Sequence, residues 1–347
     1  MPNWTTKPRI SVVIPSHNRL DALPQTLASL ADQDWAEESF EVLVIDDGSE
    51  DGTMAYLSKF SRTTSLRFQV FLQEPAGPAA ARNRGVDACA APWVLFLDAD
   101  TPVQRHVVRC HWERQTHLNG PTGCWLGRID PSPALDRWQQ YRWNEFAVDD
   151  NGAEILALAW HRYRTPNSSM SLAEVREVGA FDPAFRVAED AELAFRLHRN
   201  GMRFWYDRRL IAYHQHPCSL TQLLYKAEAY GRAAALWSHK HPDDLVGLAR
   251  RTGIYRPEMG LDRKLVHLLK IVLVNRYTLP MLTVLALHLH KEKRELSKVL
   301  LTQLYRYQVR KAYRQSETTA AHGRSLGHGP VGSRDRPRFM TKGSEVA

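Results

Sequence analysis

Trp93-Val94-Leu95-Phe96-Leu97-Asp98-Ala99-Asp100 is the stretch that decides the fold. An apolar run closed by acids reads as a buried strand, because strands covered on both faces are nearly continuous in apolar residues. Alternate residues at a strand end project the same way, so the carboxylates of Asp98 and Asp100 converge. Grouped carboxylates repel one another, and a shared hard cation such as Mg²⁺ or Mn²⁺ relieves that repulsion.

The same design repeats on the N-terminal side. Ile10-Ser11-Val12-Val13-Ile14 runs into Pro15, Glu41–Ile45 runs into Asp46-Asp47-Gly48-Ser49, and a further strand is expected near Phe68–Leu72. Between them Leu20, Leu23, Leu27 and Leu30, then Met54, Leu57 and Phe60, fall at helical spacing, and Gly77-Pro78 opens an alanine-rich helix over 79–90. Strands alternating with helices predict an α/β fold, a Rossmann-like, mostly parallel sheet covered on both faces. Ligands of such sheets gather outside the carboxyl ends of the strands, where these acidic motifs sit.

Residues 101–165 show no clear period. Their tryptophans, Trp125, Trp138, Trp143 and Trp160, suit packing or sugar stacking. Helices are predicted over 171–179 and 189–200, the second stopped by Asn200-Gly201, with short strands at Arg203–Tyr206 and Leu210–Tyr213. Beyond residue 219 helices dominate. Lys270, Asn275, Arg276 and Pro280 interrupt the apolar segment Leu265–Leu289, so no run reaches the roughly 20 residues that cross a bilayer. It fits a buried helical hairpin, or one lying in the membrane interface with the basic residues after 290 on lipid headgroups. The tail from Gln315 reads as disordered.

The chain has 347 residues, 44% hydrophobic and 24% charged, enough for one large catalytic domain with an appendage. Cys89, Cys110, Cys124 and Cys218 have no close paired spacing, so neither a zinc motif nor a disulfide framework is indicated and a reduced, cytoplasmic setting is expected. Met1–Arg9 carries no long apolar run, so no signal peptide is expected. The formal net charge is +8, with Lys291, Lys293, Arg294, Lys298, Arg306, Arg310, Lys311 and Arg314 crowding the last third. That basic face suits an anionic membrane surface or water alone; no nucleic-acid partner is expected.

Five motifs in order carry a resemblance: Ser11–Pro15 with Ser16-His17-Asn18-Arg19, Val44–Ser49, Gly77 with Ala81-Arg82-Asn83, Leu95–Asp100, and Phe181-Asp182 with Glu189-Asp190-Ala191-Glu192-Leu193. Over roughly residues 9–216 the chain resembles the family 2 glycosyltransferases. The resemblance implies a GT-A nucleotide-diphospho-sugar transferase fold, placed over 1–218; the residues beyond it read by themselves as a helical, basic extension over 219–314 and a disordered tail over 315–347. It also implies a nucleotide-sugar donor, a UDP-sugar above all, a divalent metal, and inverting transfer to a hydroxyl acceptor such as a glycan or lipid-linked sugar.

Residue by residue, the resemblance implies that Pro15, His17, Asn18, Arg19, Asp47 and Ser49 meet the nucleotide and that Asp98, Ala99 and Asp100 meet metal and diphosphate. It adds His214 as third metal ligand, with His216 as competitor, and Asp190 as general base, with Glu189 or Glu192 able to replace it. Asn167, in Thr165–Ser169, would lie beside the donor sugar. Asp46 is equally able to cap the following helix, and Arg82 and Arg84 suit either the diphosphate or internal salt bridges.

A sugar-phosphate nucleotidyltransferase would need a glycine-rich phosphate loop after the first strand, which Pro15–Arg19 lacks. A catalytically silent nucleotide-sugar-binding module is the other alternative. Gln139-Gln140-Tyr141-Arg142-Trp143 matches a processive-synthase pattern, but it precedes Asp190 rather than following it and is read as coincidence.

Overall fold

The computed structural model describes residues 6–117, 120–132, 148, 152–215, 220–244, 274–275, 277–292 and 294–325. The Gln139–Trp143 pattern, Trp138, Cys218, His216 and most of 265–276 lie outside the described residues.

Eight strands form one sheet in the order β3-β2-β1-β4-β7-β5-β8-β6. They are β1 Ile10–Ser16, β2 Phe40–Asp46, β3 Arg67–Leu72, β4 Trp93–Phe96, β5 Cys124–Pro131, β6 Ile155–Leu158, β7 Ser168–Ser171 and β8 Phe204–His214. The first four run parallel. β7 is antiparallel to β4 and β5, while β5 and β8 are parallel.

The period of two explains how both faces are filled. Val12, Ile14, Val42 and Val44 pack with Leu23, Leu27 and Leu30 of α1 (Leu23–Ala31) and Leu57 of α2 (Thr53–Thr63). Val13, Leu43 and Ile45 face the other way, toward Ala81 and Val86 of α3 (Pro78–Ala88) and Leu193 and Leu197 of α6 (Glu189–Arg199). Gly85 lets α3 lie flush on the sheet, since a Cβ there would collide with Val13 and Ile45.

The irregular stretch 101–165 is more ordered than its sequence suggests. It contains α4 (Val107–Thr116), β5 and β6. The pattern of β5 is broken by Gly127, Arg128, Asp130 and Pro131, so its strand period does not show. The two strands expected over 203–213 are one continuous β8, whose register with β5 shifts at Gly127/Arg128. Such a bulge absorbs an irregular segment without ending the strand. The predicted helix at 171–179 is the short α5, Leu172–Glu177. Trp125 is a packing residue, 1% exposed and stacked on Trp205.

Among the described residues three helices follow: α7 Leu220–Lys240, α8 Leu279–Glu292 and α9 Arg294–Ser325. Gly231 of α7 meets the backbone of α9 so closely that a Cβ would collide with the Val309 carbonyl and Ala312. Helix α9 continues past Gln315, where composition predicts disorder; its packing on α7 through Val309 and Ala312 extends the helix outward. Among the described residues no helix is long and apolar enough to cross a membrane.

A buried polar cluster pins α4 to the sheet. His111 is fully buried; its Nε2 donates to Asn167 Oδ1 (3.0 Å), and its Nδ1 accepts from the Ser169 hydroxyl (2.9 Å), which itself accepts from Gln115 (2.9 Å). Both ring nitrogens are thus matched to the neutral imidazole. Burial pushes the His111 pKa down to about 4, with Asn167 and Asp207 opposing.

Because the unfolded chain binds this proton near pH 6.5 and the folded chain refuses it until about 4, stability falls as pH drops through that window. The expected loss is about 3 kcal/mol. Denaturant unfolding of wild type and His111→Gln across this range should show a shallower pH slope in the variant.

Candidate active site

Two loops at the carboxyl ends of β1 and β2 are tied together before any ligand arrives. Asn18, in the left-handed region at φ 51°, donates its backbone N–H to the Ser49 hydroxyl (2.8 Å) and accepts from Glu50 N through its side chain (2.8 Å). Leu20 N donates to Asp51 (2.9 Å), and His17 Nδ1 donates to the Asp47 carbonyl (2.8 Å). Pro15 stays inside β1, opposite Ile45.

Asp46, fully buried, accepts from the backbone and hydroxyl of Ser49 (3.0 and 2.5 Å). It therefore shapes the turn and does not cap α2. The N-cap of α2 is Gly52, and Asp51 before it accepts from Thr53 N and Oγ1 (3.0 and 2.5 Å). Asp47 accepts from Gln73 Nε2 (2.7 Å), Ala76 N (2.8 Å) and Gly77 N (2.7 Å). Three of its four or so lone-pair sites are thus engaged in holding the loop that leads into α3.

Asp98 and Asp100 follow β4, and Ala99 between them turns inward at 3% exposure, its carbonyl accepting from Thr26 Oγ1 (2.9 Å). His214 closes β8 from the other half of the sheet, its Nε2 3.5 Å from Asp100 Oδ1. One ligand atom from each of Asp98, Asp100 and His214 lies within 4.8 Å of the others. Two hard carboxylate oxygens and an imidazole at that spacing fit a divalent cation. Burial lowers the His214 pKa while Asp100 and Asp98 oppose, which favours the neutral, ligating imidazole. Arg19 Nη2 stands 4.0 Å from Asp100.

Arg82, 4% exposed, connects this triad to α6. Its guanidinium donates to Asp98 (2.8 Å) and to Glu189 (2.7 Å). Of the two roles its sequence context allows, diphosphate contact or internal salt bridge, the structure shows the internal ion pairs. Burial alone would ease its proton off, but the two carboxylates hold it firmly charged. Burial raises the Glu189 pKa to about 7, with Arg82 opposing and Asp190 reinforcing.

The three acids in the first turn of α6 differ in their partners. Glu189 is paired with Arg82. Glu192 is paired with Arg196 (2.7 Å) and His241 (3.1 Å). Asp190 accepts from Ala191 N (2.7 Å) and has no cationic partner among the described residues. Glu189 and Glu192, considered as substitutes for Asp190, are both tied up.

Asn167 departs from expectation. It is fully buried at φ 58°, and its side chain bonds His111 and the carbonyls of Leu210 (2.7 Å) and Arg128 (3.1 Å), so both its amide hydrogens are committed inside the fold. Thr26, Gln73, His111, Arg196 and His241 all matter to the site's shape and escaped sequence reading. Their contacts join distant segments or act within a helix that reads as ordinary surface. Gln73 reaches back 26 positions to Asp47, Thr26 reaches 73 positions to Ala99, and His241 and Glu192 are 49 apart.

Residues 11–156 match the family model described as Glycosyl transferase family 2. These residues form a family 2 glycosyltransferase domain. The chain is 31% identical over 283 residues to validoxylamine A glucosyltransferase of Streptomyces hygroscopicus subsp. jinggangensis, covering 70% of the chain and 63% of that protein. It is 27% identical over 245 residues to pre-mycofactocin glycosyltransferase of Mycobacterium tuberculosis, covering 67% and 48%. It thus spans less than two thirds of these relatives' length. The S. aureus TarS 1–349 structure in complex with UDP-GlcNAc superposes with a TM-score of 0.55 at 18% identity, covering 88% of this chain and 92% of that one. The fold is GT-A.

Arg82→Met should leave Glu189 buried without its counter-charge and destabilise the fold by about 3–5 kcal/mol. Urea unfolding of the variant against wild type measures this, and Arg82→Lys, which keeps the charge, should lose less.

Proposed function

We propose that the chain moves one sugar from a nucleotide-diphosphate sugar, a UDP-sugar, to a hydroxyl acceptor on a glycan or lipid-linked sugar, with inversion at the anomeric carbon. The supporting observation is Asp190: the carboxylate in its turn without a cationic partner among the described residues is carried on the helix that Glu189–Arg82–Asp98 ties to the acidic triad. In this reading residues 1–218 form the catalytic unit and the helices over 219–314 brace it.

Asp47 offers its remaining acceptor capacity to the nucleoside, and the Pro15–Arg19 turn with Ser49 frames the same pocket. Asp190 accepts the acceptor's hydroxyl proton as the oxygen attacks. Glu189, buried on Arg82, fixes the start of that helix and takes no proton from substrate. Asp98, Asp100 and His214 would hold Mn²⁺ or Mg²⁺, which supplies Lewis-acid stabilisation of charge on the departing diphosphate. Glucosyl transfer by the Streptomyces relative supports a hexose donor. Specificity among donors rests on pocket shape.

Asp190→Asn should lower transfer by about 100-fold or more, while calorimetric titration shows UDP binding unchanged. Transfer near the wild-type rate would remove Asp190 from the chemistry. In the same titration UDP should bind more tightly with Mn²⁺ than with EDTA, and Asp100→Asn should erase the difference. UDP binding indifferent to metal in the wild type favours the silent module instead.

The enzyme in this reading works at the cytoplasmic face of a membrane as a peripheral protein. Tyr277, Met281, Val284 and Leu285 are 75, 64, 67 and 40% exposed at helical spacing on and just before α8. The basic residues from Lys291 onward follow in sequence, an arrangement suited to anionic headgroups. Sedimentation with vesicles containing phosphatidylglycerol at low salt should recover the protein, and Met281→Glu with Val284→Glu should leave it in the supernatant.

A further inference from the structure

The helix that carries Asp190 starts from a strained residue. Ala188, immediately before α6, sits at φ 63° and ψ 16°, in the left-handed region. There a Cβ crowds the following carbonyl, so alanine disfavours the conformation about tenfold, while glycine does not. Gly179 at φ 81° and Ala180 at φ 53° open the same connection between α5 and α6. Strained residues of this kind persist only where their surroundings over-determine them, and they gather at functional sites.

The surroundings of Ala188 come largely from α7. Ala188 is 5% exposed and belongs to one apolar cluster with Phe185, Phe195, Ala233 and Trp237, the last two on α7. Trp237 is fully buried, edge-on to Phe185 at 6.1 Å and tilted against Phe195 at 5.3 Å. Polar contacts hold both sides of the strained residue. Lys240 pairs with Asp182 and lies over the Phe185 ring, which fixes the loop ahead of Ala188. Behind it, His241 meets Glu192 (3.1 Å), and Glu192 N donates to the Ala188 carbonyl (3.0 Å). Glu192 also pairs with Arg196, whose guanidinium donates to the carbonyls of Val178 and Ala180.

We propose that the end of α7, through Trp237, Lys240 and His241, holds Ala188 in its left-handed conformation and so aims Asp190 at the acceptor hydroxyl. These are positioning residues, acting through Ala188 and α6. Arg82, through Glu189, fixes where α6 begins, and α7 fixes the direction from which the backbone enters it. Released from these contacts, Ala188 relaxes toward ordinary backbone and the first turn of α6 swings. A misplacement of about 1 Å at a reacting group costs up to about 100-fold in rate. The loops around Asp47 are held by their own bonds, so donor binding does not follow the change. The aiming role rests on Asp190 being the base proposed above, whereas the hold on Ala188 does not.

The test uses the full chain and reads conformation first. Lys240→Met with His241→Leu, which keeps Trp237, should speed amide hydrogen exchange across residues 186–195 about tenfold. In the Ala188→Gly background the same two changes should speed it by less than about threefold, because glycine needs no support there. A general loss of stability speeds exchange by one factor in both backgrounds, and that outcome overturns the proposal. If the double variant does not fold, Lys240→Gln alone makes the same comparison through Asp182. Activity then reads the aim. With UDP-glucose and Mn²⁺, the double variant should release UDP with kcat lowered about tenfold and KM within about twofold, and adding Ala188→Gly should restore most of the rate. Full turnover in the double variant, where Asp190→Asn loses it, overturns the aiming role and leaves the base assignment standing. Turnover retained in Asp190→Asn ends the base assignment and the aiming role together, and the exchange comparison still decides whether α7 holds Ala188.

Discussion

A single guanidinium between two carboxylates holds this site together. Arg82 projects from α3 into the space between the end of β4 and the start of α6, donating to Asp98 on one side and Glu189 on the other. Without it, acids 91 positions apart in sequence would repel across a buried gap. With it, the repulsion becomes a strut that fixes the distance between a candidate metal-binding strand end and the helix carrying Asp190. Such a buried pair is weak evidence for net stability, because desolvation offsets much of the Coulombic gain. What it supplies is position.

The same economy runs through the loops. Asp46, Asp47 and Asp51 each accept from backbone amides nearby, and Asn18 and Ser49 interlock. These loops, the candidate nucleotide side of the cleft, are therefore held in shape by the chain's own hydrogen bonds, and a preformed loop lowers the ordering cost of binding. Further out, the carboxyl end of α7 and the residues after it grip α6 and its preceding loop. Lys240 pairs with Asp182, His241 with Glu192, and Asp243 with Arg199, while Trp237 lies parallel to Trp160 at 6.3 Å. The exposed pairs add little energy singly. The half-buried His241–Glu192 contact and the aromatic cluster connect the helical extension mechanically to the candidate catalytic helix.

Legibility in the sequence followed locality. Strands β1, β2 and β4 and helices α1 to α3 were readable because each carries a continuous or helically spaced apolar run with Pro or Gly close by. The half from 101 to 216 resisted, since β5 mixes Gly, Arg and Pro with apolar residues and β7 is Ser-Ser-Met-Ser. Its burial comes from neighbours brought in by other parts of the chain. Asn167 shows the consequence. Its motif context suggested a ligand contact, while three distant partners turned it into a structural pin.

The sequence by itself determined the α/β class, the parallel half of the sheet, the acids at its carboxyl edge and the family resemblance, because these follow from local period and ordered motifs. Only the tertiary structure decided which acids have cationic partners among the described residues. Glu189, Asp190 and Glu192 are alike as letters, yet one faces Arg82, one faces Arg196 and His241, and one faces none of these. Long-range charge pairing, which no local pattern encodes, made that distinction.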